Sequence, residues 1–288
     1  MHAPGGPVSV LTSIAPLTAG CEAWFADIWG LLHDGVAPFP QAVAACERFR
    51  AAGGIVLLLS NAPRPWQSTA AQLARIGVPA SAFDAIVTSG DVARALIGTH
   101  TGGAVLHLGP ERDLPIFDGL DVKLAGVEAA QVVVCTGLND DETETPETYA
   151  ALLAACAGRG LPMICANPDL TVERGGRIVY CAGALAAAYE RLGGEVAYAG
   201  KPYRPIYDMA FAELERLKGQ PIARETVMAI GDGIRTDIEG AVRAGLRSVY
   251  VASGVHVEKG EALDARLLAE LFPDPARRPV AAMTGLAW

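Results

Sequence analysis

Short apolar runs alternate with longer stretches of mixed polarity along nearly the whole chain. Ala23–Ile28, Ile55–Ser60 and Ala85–Thr88 read as strands, and Gln41–Ala52, Trp66–Ile76 and Gly90–Ile97 as the helices that follow them. Runs that stay apolar, rather than alternating with polar residues, suit a parallel sheet covered on both faces. The pattern restarts with strands at Ala104–Leu108, Gln131–Cys135, Pro162–Ala166 and Arg177–Cys181, with a helix over Glu147–Arg159. It then resumes as strand Val196–Ala199, helix Pro205–Leu217, strand Thr226–Ile230, helix Asp237–Ala244 and strand Ser248–Val251. The expected fold class is α/β: a parallel-sheet core formed by residues 21–99 and 186–272, split by a smaller inserted α/β domain at 100–185. An N-terminal segment, 1–20, precedes the core, and a proline-rich tail, 273–288, is expected to be irregular.

Composition narrows the function. Of 288 residues, 51% are hydrophobic and 19% charged, which favours folding over disorder. The net charge of −9 argues against a nucleic-acid partner. Six cysteines form no C-x-x-C pair, which suits free thiols in a reducing cytosol and predicts a cytoplasmic protein. Residues 1–20 lack the pattern of a secretory signal, and no apolar run is long enough to predict a membrane span.

Candidate chemistry lies at four predicted strand ends. Asp27 opens a loop, Asp27-Ile28-Trp29-Gly30, that suits an exposed carboxylate, although an aspartate after a strand is also a common turn former. Ser60 and Asn61 follow the second strand and offer a hydroxyl and an amide to phosphate oxygens; capping of the next turn is the alternative. Gly200-Lys201-Pro202 puts a cation after a strand, with the proline expected to open a helix. It is not a nucleotide-binding P-loop, since Glu195 replaces the first glycine and Pro202 the Ser/Thr. Gly231-Asp232-Gly233, with Asp237 shortly after, places two carboxylates on one tight turn, an arrangement that can grip a hard cation. Ligands bind at this edge of open parallel sheets.

These four motifs, in this order, resemble the haloacid dehalogenase (HAD) superfamily, over roughly residues 22–260. The closest likeness is to subclass IIA, the sugar- and nitrophenyl-phosphatase branch, with a Rossmann-like core and a large α/β cap between the second and third motifs. The resemblance implies that Asp27 is the nucleophile of a Mg2+-dependent phosphatase acting on a small phosphorylated metabolite through an aspartyl-phosphate. It implies that Ser60, Asn61 and Lys201 hold the phosphate, with Lys201 counted among the catalytic residues. Asp27, Asp232, Asp237 and the carbonyl of Trp29 are implied as the metal ligands. It further implies a homodimer joined through the caps and substrate contacts from the cap, for which Asn167 and Asp169 are candidates, although turn formation by Asn-Pro-Asp explains them as well; no membrane partner is expected, as no apolar run is long enough.

One departure stands out. The family's phosphatases carry an aspartate two residues after the nucleophile, which protonates the leaving oxygen and later activates water. This chain has Trp29 there, and an indole can do neither. His33 has the right pKa range for such work, but a structural role in its loop is the alternative. Two other readings therefore stay open: a dehalogenase-like hydrolase, or a non-catalytic protein that binds a phosphorylated ligand. Arg64 could meet a substrate anion or simply face solvent.

Overall fold

In a computed structural model of the chain, the described residues are 7–174, 177–252 and 263–288. The first series of elements is β1 (Ser9–Val10), β2 (Ala23–Ala26), α1 (Pro40–Ala51), β3 (Ile55–Ser60), α2 (Trp66–Ile76), β4 (Ala85–Thr88) and α3 (Ser89–Gly98). The second is β5 (Ala104–Leu108), β6 (Lys123–Leu124), β7 (Val132–Cys135), α4 (Ala150–Gly158), β8 (Met163–Cys165), β9 (Thr171–Arg174), β10 (Arg177–Tyr180), α5 (Ala182–Arg191) and β11 (Val196–Tyr198). The chain closes with α6 (Arg204–Lys218), β12 (Val227–Gly231), α7 (Glu239–Ala244), β13 (Arg247–Val251), α8 (Ala265–Leu271) and β14 (Ala281–Met283).

These elements divide into two compact units. One comprises Met1–Ser60, Ala70–Val87 and Tyr207–Trp288; the other comprises Asn61–Thr69 and Thr88–Ile206. The first holds a seven-stranded sheet of order β1-β14-β13-β12-β2-β3-β4. The pairings from β1 across to β3 are parallel. Trp24 and Ala26 of β2 point to one face, into a core shared with Ala42, Cys46 and Phe49 of α1 and Leu73 of α2. Trp24 stacks on Phe49 at 4.0 Å and 2°. Phe25, between them, points to the other face and meets Phe211 of α6 edge-on at 5.1 Å. Alternate residues of one strand thus bury against helices on opposite faces, which is why the strand reads as unbroken apolar sequence.

The second unit has a five-stranded parallel sheet of order β11-β8-β7-β5-β6, and an antiparallel pair, β9 with β10. Val133, Cys135, Met163 and Cys165 pack with Leu153 of α4 and with Leu185 and Tyr189 of α5. The Tyr189 hydroxyl donates to the Leu161 carbonyl at 2.6 Å, so the ring is buried without leaving its polar end unsatisfied. Helix α3 starts at a capping box in which Thr88 and Asp91 satisfy each other's backbone N–H groups.

Several expectations change. The resumed pattern places β11 in the core, but it pairs with β8, Val196 opposite Met163. The second unit takes in Asn61–Thr69 and Thr88–Ile206, more than the inserted stretch of 100–185. A short apolar run carries no mark of which sheet it joins. The tail is not irregular throughout: β14 lies between β1 and β13 with all three residues buried. The N-terminal segment supplies β1, an edge strand of the same sheet. Helix α5, built from AGALAAAYER, fills a stretch where the pattern predicts no element. Pro202 does not open a helix: α6 starts at Arg204, and residues 200–203 form a turn closed by Tyr203 N–H to the Gly200 carbonyl at 2.9 Å. Among the described residues, no helix is long and apolar enough to cross a membrane.

Candidate active site

Strands β2 and β12 are neighbours, with Ala26 opposite Ile230. The Asp27 N–H extends the ladder by donating to the Ile230 carbonyl at 2.8 Å. Asp27 and the Gly231-Asp232 turn therefore leave the sheet side by side, although they come from opposite ends of the chain. Ser60, at the end of β3 on the other side of β2, belongs to the same edge. The strand order runs outward from β2 in both directions, so this edge is the switch point where open α/β sheets bind ligands.

The carboxylates of Asp27, Asp232 and Asp237 each bring an oxygen to within 4.8 Å of the others. Asp232 and Asp237 are buried and Asp27 is half-buried. Asp237 comes from a single π-helical turn, Ile234–Ile238. Its carboxylate accepts the Gly233 N–H at 3.0 Å, which ties it back to the loop. Two glycines make this crowding possible. A Cβ on Gly231 would lie 2.2 Å from the Asp237 Cγ, and a Cβ on Gly30, whose φ is +81°, would lie 2.3 Å from the Asp232 Oδ2. Three converging carboxylates in a mostly buried site match the all-oxygen donor set that a hard divalent cation takes.

The Asp27 loop folds back on itself. Gly30 N–H donates to the His33 carbonyl at 2.9 Å, and Phe39 N–H to the Leu32 carbonyl at 2.8 Å. The Trp29 indole packs against Gly35 and meets the His33 ring edge-on at 5.3 Å. His33 is buried, and its Nδ1 accepts the Gly35 N–H at 2.9 Å. Burial lowers its pKa, which favours the neutral imidazole. Asp34 turns its carboxylate onto the N–H groups of Val36 and Ala37 at 2.9 and 2.8 Å, and these bonds lower its pKa.

The second unit gathers a different set. Lys201, after β11, is buried. Asn61 is buried too, and its side chain faces Lys201's own main chain rather than open space. Asp169 accepts from the Asn61 amide at 2.9 Å, and Asn167 Oδ1 accepts the Asp169 N–H at 3.0 Å. Arg64 pairs with the buried Asp113 at 3.6 Å. In the acidic loop 139–147, Asp141 pairs with both Arg112 and Arg174. The Asn61–Asp169 contact was not foreseen, and no local pattern signals a bond across 108 positions.

Comparison with known proteins agrees with this geometry. A family model described as haloacid dehalogenase-like hydrolase matches residues 24–123, and a second, HAD-hydrolase-like, matches residues 198–274. The crystal structure of a haloacid dehalogenase-like hydrolase from Brucella suis is 44% identical, covers 95% of this chain and 98% of its own, and superposes with a TM-score of 0.85. The chain belongs to the haloacid dehalogenase-like hydrolase family, with the Rossmann-like core and cap domain of that fold. The D-glycerol 3-phosphate phosphatase of Mycobacterium tuberculosis is 28% identical over 256 residues, 88% of this chain; the match spans 66% of that longer protein. A glycerol phosphate phosphatase from the same organism, solved in complex with magnesium, is 26% identical, covers 94% of this chain and 76% of its own, and has a TM-score of 0.70. The p-nitrophenyl phosphatase of Archaeoglobus fulgidus, 20% identical over 92% of this chain and 96% of its own with a TM-score of 0.69, shares the fold.

Proposed function

We propose that the protein is a Mg2+-dependent phosphoric monoester hydrolase that acts on a small phosphorylated metabolite through an aspartyl-phosphate. The observation that carries this reading is the cluster of Asp27, Asp232 and Asp237 at the sheet's switch point in a chain of this family. Asp27, Asp232 and the Trp29 carbonyl would hold Mg2+, with Asp237 in support. Bound there, the ion would neutralise phosphoryl charge.

In the first step an Asp27 carboxylate oxygen bonds to phosphorus as the bond to the leaving oxygen breaks. In the second, water adds to phosphorus, the Asp27–phosphorus linkage breaks, and orthophosphate leaves with one water proton lost to solvent. Ser60 and Lys201, by their match to the family pattern, stabilise the equatorial oxygens where charge gathers. The Trp29 side chain can neither donate a proton to the leaving group nor take one from the water. Turnover is therefore expected to favour aryl and acyl phosphates, whose leaving groups depart without protonation, and the phosphoenzyme should accumulate.

The test is phosphate release from p-nitrophenyl phosphate, acetyl phosphate, glycerol phosphate and sugar phosphates, with and without Mg2+, in the wild type and Asp27→Asn. Release that needs both Mg2+ and Asp27 is expected. Folded protein that releases none from any substrate would overturn the reading and favour a ligand-binding protein on this scaffold. Chelator-insensitive halide release from a 2-haloacid would favour a dehalogenase.

A further inference from the structure

We propose that Asn61 and Asp169 are positioning residues that fix the main chain of Lys201, and that the Asn61 amide does not touch substrate. The inference rests on the phosphatase reading for Lys201's role, but its geometry stands alone. Asn61 Oδ1 accepts the Lys201 N–H at 2.7 Å, and Nδ2 donates to the carbonyl of the same residue at 3.0 Å. A two-point grip on both polar groups of one residue restricts its φ and ψ, and so fixes the direction in which the side chain departs.

Asp169 sets which way round the amide lies. Its Oδ1 accepts from Asn61 Nδ2 at 2.9 Å. An ionised carboxylate only accepts, so the amide nitrogen must face it, and this leaves Oδ1 facing the Lys201 N–H. Both amide donors and an oxygen lone pair are then used, and the side chain has no N–H left for phosphate.

The surroundings are built for this contact. A Cβ on Gly200 would lie 2.4 Å from Asn61 Oδ1, 2.7 Å from Pro168 Cδ and 2.8 Å from Ser89 Oγ, so only glycine passes there. Asp169 is itself held, its N–H by Asn167 Oδ1 at 3.0 Å and its carbonyl by the Gly183 N–H at 3.1 Å. The Asp169 and Lys201 loops leave adjacent parallel strands, joined at their ends by Ala199 N–H to the Cys165 carbonyl at 3.0 Å.

A double-mutant cycle tests the assignment. Asn61→Ala is expected to lower kcat/KM at least about tenfold in protein that melts cooperatively, and Lys201→Ala to lower it further. The double variant should match Lys201→Ala within about twofold, because Asn61 acts only through the lysine. Losses that multiply would place the Asn61 amide on the substrate and overturn the proposal. Asp169→Ala should reproduce Asn61→Ala, and Asp169→Asn, which keeps an acceptor, should recover most of the loss; wild-type kinetics in Asp169→Ala would remove Asp169 from the assignment. Hydrogen exchange at the Lys201 amide supplies a readout free of turnover. Faster exchange in Asn61→Ala is expected, and unchanged protection would sink the grip even if the wild type proved inactive.

Discussion

The Trp29 indole lies against Gly35, so closely that a Cβ on the glycine would fall 2.4 Å from the ring's Cη2. The residue standing where the family resemblance leads one to expect an acid–base aspartate is thus packed against its own loop, with His33 edge-on beside it. Trp29→Asp is expected to restore a proton-transfer group. General acid–base catalysis contributes about 10² to 10⁴ in rate, so the ratio of glycerol phosphate to p-nitrophenyl phosphate turnover should rise at least about tenfold. An unchanged ratio in a stable variant would show that something other than the missing carboxylate limits alkyl esters.

Gly30 is predicted to tolerate no side chain. Gly30→Ala combines a left-handed φ with a contact of 2.3 Å to the Asp232 carboxylate. Conformational strain alone costs about 1–2 kcal/mol, and the displaced carboxylate should weaken Mg2+ binding. A magnesium titration followed by activity and by melting temperature checks both; wild-type affinity would mean that the loop relaxes freely.

Tyr250 carries a fully buried hydroxyl with no hydrogen-bond partner among the described residues, while its ring meets Phe272 edge-on at 5.2 Å. Tyr250→Phe keeps the ring contact and removes the unsatisfied group, whose burial costs about 1–3 kcal/mol. Thermal denaturation should show an unchanged or higher melting temperature. A clear drop would reveal a partner for the hydroxyl, such as a buried water.

Burial pushes His107 down to about 4, below the value of about 6.5 for an exposed imidazole. The unfolded chain therefore takes up its proton first. The contribution to stability is complete above the unfolded pKa and is lost as pH falls through the folded one. Asp113, raised by burial, slopes the opposite way, so the comparison must isolate the histidine. Melting temperature from pH 7 to 5 should fall more steeply for wild type than for His107→Asn; parallel curves would count against the assignment.

Deleting residues 279–288 should prevent stable folding. The cut removes β14 from between β1 and β13, together with Leu286 and the Trp288 ring, 6.4 Å from Trp24. Circular dichroism and solubility of the shortened chain would decide it, and a cooperative transition near that of the full chain would show the strand to be dispensable.

The elements most legible in the sequence were those closed on both sides by turn residues. Ile55–Ser60, Trp66–Ile76, Ala85–Thr88 and Ala104–Leu108 have the boundaries their patterns predict, because each apolar run sets its own length. The metal-binding candidates were legible for a related reason: Gly231, Asp232 and Gly233 combine a tight turn with carboxylates in one short stretch. What stayed hidden depends on pairing across the chain. The partner of β11, the place of β14 and the commitment of Asn61 to Lys201 are set by residues more than 30 positions away, and nothing local records them.

The adjacency of β2 and β12 also has a temporal side. Asp27 leaves the ribosome about 205 residues ahead of Asp232. At about 5–20 residues per second, the interval is roughly 10 to 40 s. Throughout it the first carboxylate has no neighbouring strand to complete its site, and β1 still waits for β14. Whatever the three carboxylates do together, the chain cannot do it until Asp232 and Asp237 have been made and β12 has paired with β2.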